Sequence, residues 1–107
     1  MTTILHADEV TLLVTDRPAS ASITDTYPID LADRDEAREA LADLRRDGAL
    51  TLVGIEFDDP EEVNSRIVLR GADLAAAAFV DRGGHRIDAD RVLDRFDELA
   101  HVELTEA

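Results

Sequence analysis

The chain contains no lysine and no cysteine. Without cysteine there can be no disulfide, no thiolate nucleophile and no cysteine-ligated zinc. Aromatic residues are scarce: no tryptophan, one tyrosine and three phenylalanines leave little material to line a ligand pocket. No apolar run approaches the about 20 residues that a membrane-spanning helix needs. The segment Met1 to Val14 holds His6, Asp8 and Glu9 and lacks the basic stretch that opens a secretory signal. These absences predict a soluble, cytoplasmic protein with no membrane partner. At 107 residues the chain is expected to form one domain, residues 1–107, around a single core.

What the chain does have is carboxylate. Eleven arginines face 25 acids, for a formal charge of -14. The apolar content of 45% is ordinary for a folded domain, so the charge does not mark disorder. An acidic surface without lysine resembles the composition of halophilic, haloarchaeal-type cytosolic proteins. At about 1 M salt the Debye length is about 3 Å and exposed like charges barely repel. In dilute buffer the length grows to roughly 10 Å, so stability is expected to fall as salt is withdrawn. The same charge disfavours general binding to nucleic acid or anionic membranes, which draws on clustered cations.

Val10, Leu12 and Val14 alternate with Thr11, Leu13 and Thr15, which predicts a strand. Asp16 to Ser20 reads as a turn around Pro18. Ala21, Ile23 and Tyr27 alternate with Ser22, Thr24 and Thr26, predicting a second strand that pairs with the first and ends at Pro28. Asp33 to Asp47 is the clearest helix. Asp33 and Glu36 have capping-box spacing, Ala37, Ala40, Leu41 and Leu44 form an apolar stripe, Arg45 and Arg46 fill the last turn, and Gly48 follows as a C′ residue. Leu50 to Phe57 is apolar on both faces and predicts a central strand. After the polar stretch Asp58 to Asn64, Arg66 to Arg70 predicts a strand with Ile67 and Leu69 inward, forming a second hairpin.

The alanine-rich segment Asp73 to Asp81 predicts a helix from propensity, stopped by Gly83-Gly84. Asp88 is expected to cap a last helix running to about Ala100, with Ile87 and Val92 as a staple and Val92, Leu93, Phe96, Leu99 and Ala100 buried. Val102 and Leu104 suggest a short final strand. The expected order is β-β-α-β-β-α-α-β. The expected class is α+β, a mixed or antiparallel sheet of about four to five strands with helices on one face.

No motif here carries chemistry. His6, His85 and His101 lack HxH or HxxxH spacing for a metal, and a histidine at a helix end such as His101 needs only the dipole to explain it. The acidic stretch Asp58, Asp59, Glu61, Glu62 lacks the ligand spacing and glycine of an EF-hand. Ser20, Ser22, Thr24 and Thr26 sit in no G-x-S-x-G elbow, and Gly83-Gly84 belongs to no phosphate-binding pattern. No catalytic residue, metal ligand or cofactor is expected, and the chain is read as not an enzyme.

One local feature points to binding. Arg82, His85, Arg86, Arg91 and Arg95 gather around Gly83-Gly84, in a half of the chain where residues 66–107 carry six arginines against nine acids. With the two expected helices they suggest a helix-turn-helix and an anion, nucleic-acid or acidic-protein site. Asp88, Asp90, Asp94, Asp97 and Glu98 interleave with them, which favours ion pairs along a solvated face. The leading expectation is a small non-enzymatic domain that works by protein–protein contact, as a homodimer or accessory subunit. The contact would use a sheet edge or the alanine run Leu74 to Ala78. The alternative is a nucleic-acid-associated regulator using the arginine-bearing segment.

Overall fold

The computed structural model describes residues 2–17, 22–47 and 50–105. Among them the chain runs β1 (Thr2–His6), β2 (Val10–Thr15), β3 (Tyr27–Asp30), α1 (Arg34–Asp47), β4 (Thr51–Asp58), β5 (Arg66–Arg70), α2 (Ala72–Ala75), β6 (Ala77–Asp81), β7 (Arg86–Ile87) and β8 (Leu99–Thr105). Short 3₁₀ turns occupy Ala7–Glu9, Ile23–Asp25, Ala89–Arg91 and Phe96–Glu98. The strands form two four-stranded sheets, ordered β1-β8-β6-β7 and β3-β2-β4-β5, with every neighbouring pair antiparallel. The protein is therefore α+β and antiparallel, but two sheets replace the single helix-covered sheet that the pattern suggests.

The sheets share one core. Val10, Leu12, Val14, Ile55 and Phe57 from the second sheet join Leu5, Phe79, Ile87 and Val102 from the first in one hydrophobic cluster. Ala37 and Leu41 of α1 enter it, as do Leu31, Leu74, Val92, Leu93, Phe96 and Leu99. The strand pattern at Val10–Val14 and the central position of β4, flanked by β2 and β5, match the sequence expectation. So does α1: Asp33 Oδ1 accepts the Glu36 N–H at 3.1 Å, and Ala37 and Leu41 are buried while Ala40 and Leu44 pack beside them. The β4–β5 hairpin forms with Phe57 opposite Ile67 and Ile55 opposite Leu69. Gly54 lies in β4 where it pairs with Leu13 and Arg70. A side chain there would meet the Leu69 carbonyl oxygen at 2.6 Å.

Four elements differ from the sequence reading. First, the structure adds β1 ahead of the expected first strand, where Thr2-Thr3-Ile4 is a β-branched run. Second, β3 begins at Tyr27, after a turn at Ile23–Asp25, and Pro28 lies inside it. Proline is tolerated because β3 is an edge strand and needs no N–H on its open side. Pro18 and Ala21 fall outside the described residues, as does Gly48. Third, the alanine-rich helix shrinks to one turn, Ala72–Ala75, and Ala77–Asp81 becomes a strand between β8 and β7. Helix propensity separates ordinary residues by at most about 0.7 kcal/mol. Burying one phenylalanine is worth about 1.5–3 kcal/mol, and Phe79 is completely buried opposite Val102 and Ile87.

Fourth, the helix expected over Asp88 to Ala100 is absent. The segment closes 3₁₀-type bonds, Arg91 N–H to Asp88 at 2.9 Å, Arg95 N–H to Val92 at 3.2 Å and Glu98 N–H to Arg95 at 3.0 Å. Val92, Leu93, Phe96 and Leu99 are buried as expected, but by tight turns. Two carbonyls near the end of the segment are held from α1: Arg34 donates to the Phe96 oxygen at 3.0 Å and to the Leu99 oxygen at 2.9 Å. Leu99 then enters β8, which crosses the middle of its sheet as a seven-residue strand. There is accordingly no pair of helices around Gly83-Gly84. That dipeptide lies in the β6–β7 turn, with Gly84 in the left-handed region at φ 84°.

Candidate functional site

The structure divides the five candidate residues. His85 and Arg95 converge on Asp81, a carboxylate that is only 5% exposed. Asp81 Oδ1 accepts the backbone N–H groups of Gly83 at 3.0 Å and His85 at 2.8 Å, and Oδ2 meets Arg95 Nη2 at 2.5 Å. The His85 amide, ahead of the Arg95 charge, holds the Asp81 carboxyl below its ordinary pKa, with burial opposing. Arg95 also bonds Glu98, which raises its own pKa. His85 Nδ1 lies 3.5 Å from Asp81 Oδ1. The cluster closes on itself and ties the β6–β7 turn to the segment before β8.

Arg86 leaves this cluster. Its Nη2 stands 2.8 Å from Glu103 Oε2, without the alignment of a hydrogen bond. His101 Nε2 lies 3.8 Å from the other Glu103 oxygen, and His6 sits directly across the β1–β8 ladder from His101. Among the described residues no three His, Asp or Glu side chains are placed to hold a metal ion. Arg82 and Arg91 are exposed and have no ion pair among the described residues. Arg91 and Arg95 do not share a helix face, because no helix forms there.

The acidic stretch after β4 folds as a solvated turn. Asp59 Oδ1 accepts the Glu61 N–H at 2.8 Å, Ser65 closes back on Asp59 at 3.0 Å, and Asn64 takes the left-handed φ of 68°. Ser22, Thr24 and Asp25 bond one another in the turn before β3. A groove of about 620 Å³ separates α1 from the outer face of the second sheet, with Glu36, Glu39 and Asp43 on one wall and Asp30 and Glu56 on the other. Arg66 crosses it and pairs with Glu56, which raises the pKa of the guanidinium.

The feature without an internal explanation is an edge. Among the described residues the two open sheets have four outer strands. The β3 edge carries Pro28 and Asp30, the β5 edge begins and ends with exposed Arg66 and Arg70, and β7 has only two residues. These are the devices by which proteins keep edges from pairing with other chains. Strand β1, Thr-Thr-Ile-Leu-His, has five residues with no Asp, Glu, Arg or proline. Its extensive contacts among the described residues are with β8 alone. Leu5 turns into the core, and Ile4 on the other face is 59% exposed. The sequence signal that would have found it is a charge-free, β-branched run in a chain with 34% charged residues.

Among the described residues no helix is long and apolar enough to cross a membrane. The chain matches no protein-family model, no curated protein and no solved structure.

Proposed function

We propose that this chain is a non-enzymatic protein–protein interaction domain of a high-salt cytosol, and that its contact surface is the β1 edge. The observation that carries the reading is the contrast among the four edges: three are guarded by charge, proline or brevity, and β1 presents five uncharged residues. An open strand offers a row of backbone N–H and C=O groups, and Ile4 adds an apolar anchor on one face.

The nucleic-acid alternative loses support on two counts. The helix pair it needed does not form, and Arg86 and Arg95 are committed to Glu103, Asp81 and Glu98.

The test is a comparison in native lysate at about 2 M KCl, where surface charge is almost fully screened. Tagged wild-type chain and its Ile4→Lys variant are used as baits in parallel. Proteins of any kind, this chain included, that are retained by wild type and lost with Ile4→Lys support the proposal. Identical retention by both baits rejects it.

A further inference from the structure

We infer that the partner of β1 is β1 of a second copy of this chain, paired antiparallel about a two-fold axis through Ile4. This inference rests on the interaction reading above and specifies its occupant.

The first argument is geometric. For a strand of five residues pairing with itself antiparallel, only a register centred on residue 4 matches all five. Thr2 then faces His6 of the second copy, Thr3 faces Leu5, and Ile4 faces Ile4. Directly opposed residues in an antiparallel pair lie on the same face, about 4.5–5.5 Å apart at Cβ. The two exposed Ile4 side chains therefore cover one another, and any shifted register separates them. The product is one continuous antiparallel sheet of eight strands, β7-β6-β8-β1 followed by the same order reversed.

The second argument is electrostatic. Burying a carboxylate between two copies carries a desolvation cost that salt does not screen, so two copies carrying -14 each pair best through a surface free of carboxylate. Strand β1 supplies it. The acids nearest in sequence, Asp8 and Glu9, follow the strand and lie beyond His6. At about 3.3 Å per residue, the two His6 positions stand about 13 Å apart along the paired strands, and the Asp8–Glu9 turns lie at opposite ends. That spacing exceeds the roughly 10 Å Debye length of even 0.1 M salt. Glu103, opposite Ile4 on β8, already has Arg86 at 2.8 Å. A cationic partner would gain nothing from an uncharged edge, whereas an equally acidic copy of the chain requires one.

The experiment uses the purified full chain and measures mass by sedimentation or light scattering in about 2 M KCl, at concentrations up to on the order of 100 µM. Wild type is expected at twice the monomer mass of 11.7 kDa. Ile4→Lys alone and Ile4→Glu alone, measured beside wild type in about 0.1 M KCl where the roughly 10 Å Debye length leaves charges this close unscreened, are expected as monomers, because each places like charges against one another at the axis. An equimolar mixture of the two variants is expected to recover the doubled mass as a heterodimer. Val68→Lys, on the β5 edge where Val68 is also exposed, is expected to leave wild-type association unchanged. Ile4 is exposed, so these changes leave the core intact, and unchanged far-UV circular dichroism verifies it. A monomeric wild type across this range overturns self-pairing, and the lysate comparison still decides the interaction reading. Dimeric Ile4 variants overturn the use of β1, and a mixture that stays monomeric overturns the Ile4-centred register.

Discussion

The Arg34 guanidinium stands 5.0 Å from the centre of the Phe96 ring and donates to the Phe96 carbonyl at 3.0 Å, across 62 residues of chain. It also reaches the Leu99 carbonyl at 2.9 Å. One side chain at the start of α1 thereby ties down two carbonyls at the end of the segment Asp88 to Ala100. Farther along α1, Arg38 and Arg45 pair with Asp97 and Asp94 at 2.9 and 2.8 Å. Those pairs are exposed and contribute little, about 0–1 kcal/mol each.

Arg34→Ala is expected to destabilise the fold by about 2–4 kcal/mol, since charge-assisted hydrogen bonds and a partly buried cation–π contact are lost together. Arg34→Lys should recover only part of this, because an ammonium has no planar fork to span two carbonyls. Urea unfolding at fixed high salt, with the m-value as control, measures both.

Asp81 makes stability depend on pH. Its folded pKa is lowered, first by the His85 amide and then by the Arg95 charge. A lowered carboxylate binds fewer protons when folded than when unfolded. Its contribution is therefore complete above the ordinary Asp value of about 3.9 and is lost as pH falls from there through the folded pKa. Asp81→Asn should be less stable than wild type at neutral pH, and the gap should narrow as the pH drops below about 4. A gap that stays constant down the acid range would show that the carboxylate charge is not what holds the β6–β7 turn.

Gly54→Ala places a methyl group 2.6 Å from the Leu69 carbonyl oxygen. That neighbour is backbone in a paired strand, so relief requires the β4–β5 ladder to move. A loss of about 1–3 kcal/mol is expected, the cost typical of overpacking. Thermal unfolding reads the change, and Gly84→Ala, at φ 84° with open space around it, gives the comparison for strain alone.

Salt should stabilise the molecule. Between about 0.1 and 1 M the Debye length shrinks from roughly 10 Å to about 3 Å, and the repulsion among 25 acids fades. The melting temperature is expected to rise over that range and into molar KCl. Equal melting in millimolar and molar KCl would remove the halophilic reading and leave the acidic surface to be explained by a basic partner.

Elements were legible wherever neighbours in sequence are also neighbours in the fold. Val10 to Val14 alternates because a strand has two faces. Asp33, Glu36 and the Ala37–Leu41 stripe announce α1 because capping and amphipathicity are local. Leu50 to Phe57 is apolar on both sides because β4 is interior. The reading failed where a distant group outweighed local preference. The alanines at 75–78 favour a helix, and the β8 ladder draws Ala77 and Ala78 into β6. The residues Val92, Leu93, Phe96 and Leu99 are buried with helical spacing, yet Leu99 pairs with Asp81 in the sheet and Arg34 holds the Phe96 and Leu99 carbonyls. The arginine cluster looked continuous in sequence, yet Arg86 and Arg95 point to different carboxylates.

Composition and short-range pattern thus settle the charge, the chemistries that need cysteine, the α1 helix and the strands of the β2–β4–β5 region. Each of these depends on side chains within one turn or one strand of each other. Sheet membership, the strand identity of Ala77–Asp81 and the exposure of the β1 edge depend on which segments meet across the core. Backbone hydrogen bonding is the same for every residue but proline, so its partners are selected by burial elsewhere in the chain. Whether an uncharged strand such as Thr2–His6 ends up inside a sheet or at its open margin is accordingly invisible until the whole chain has folded.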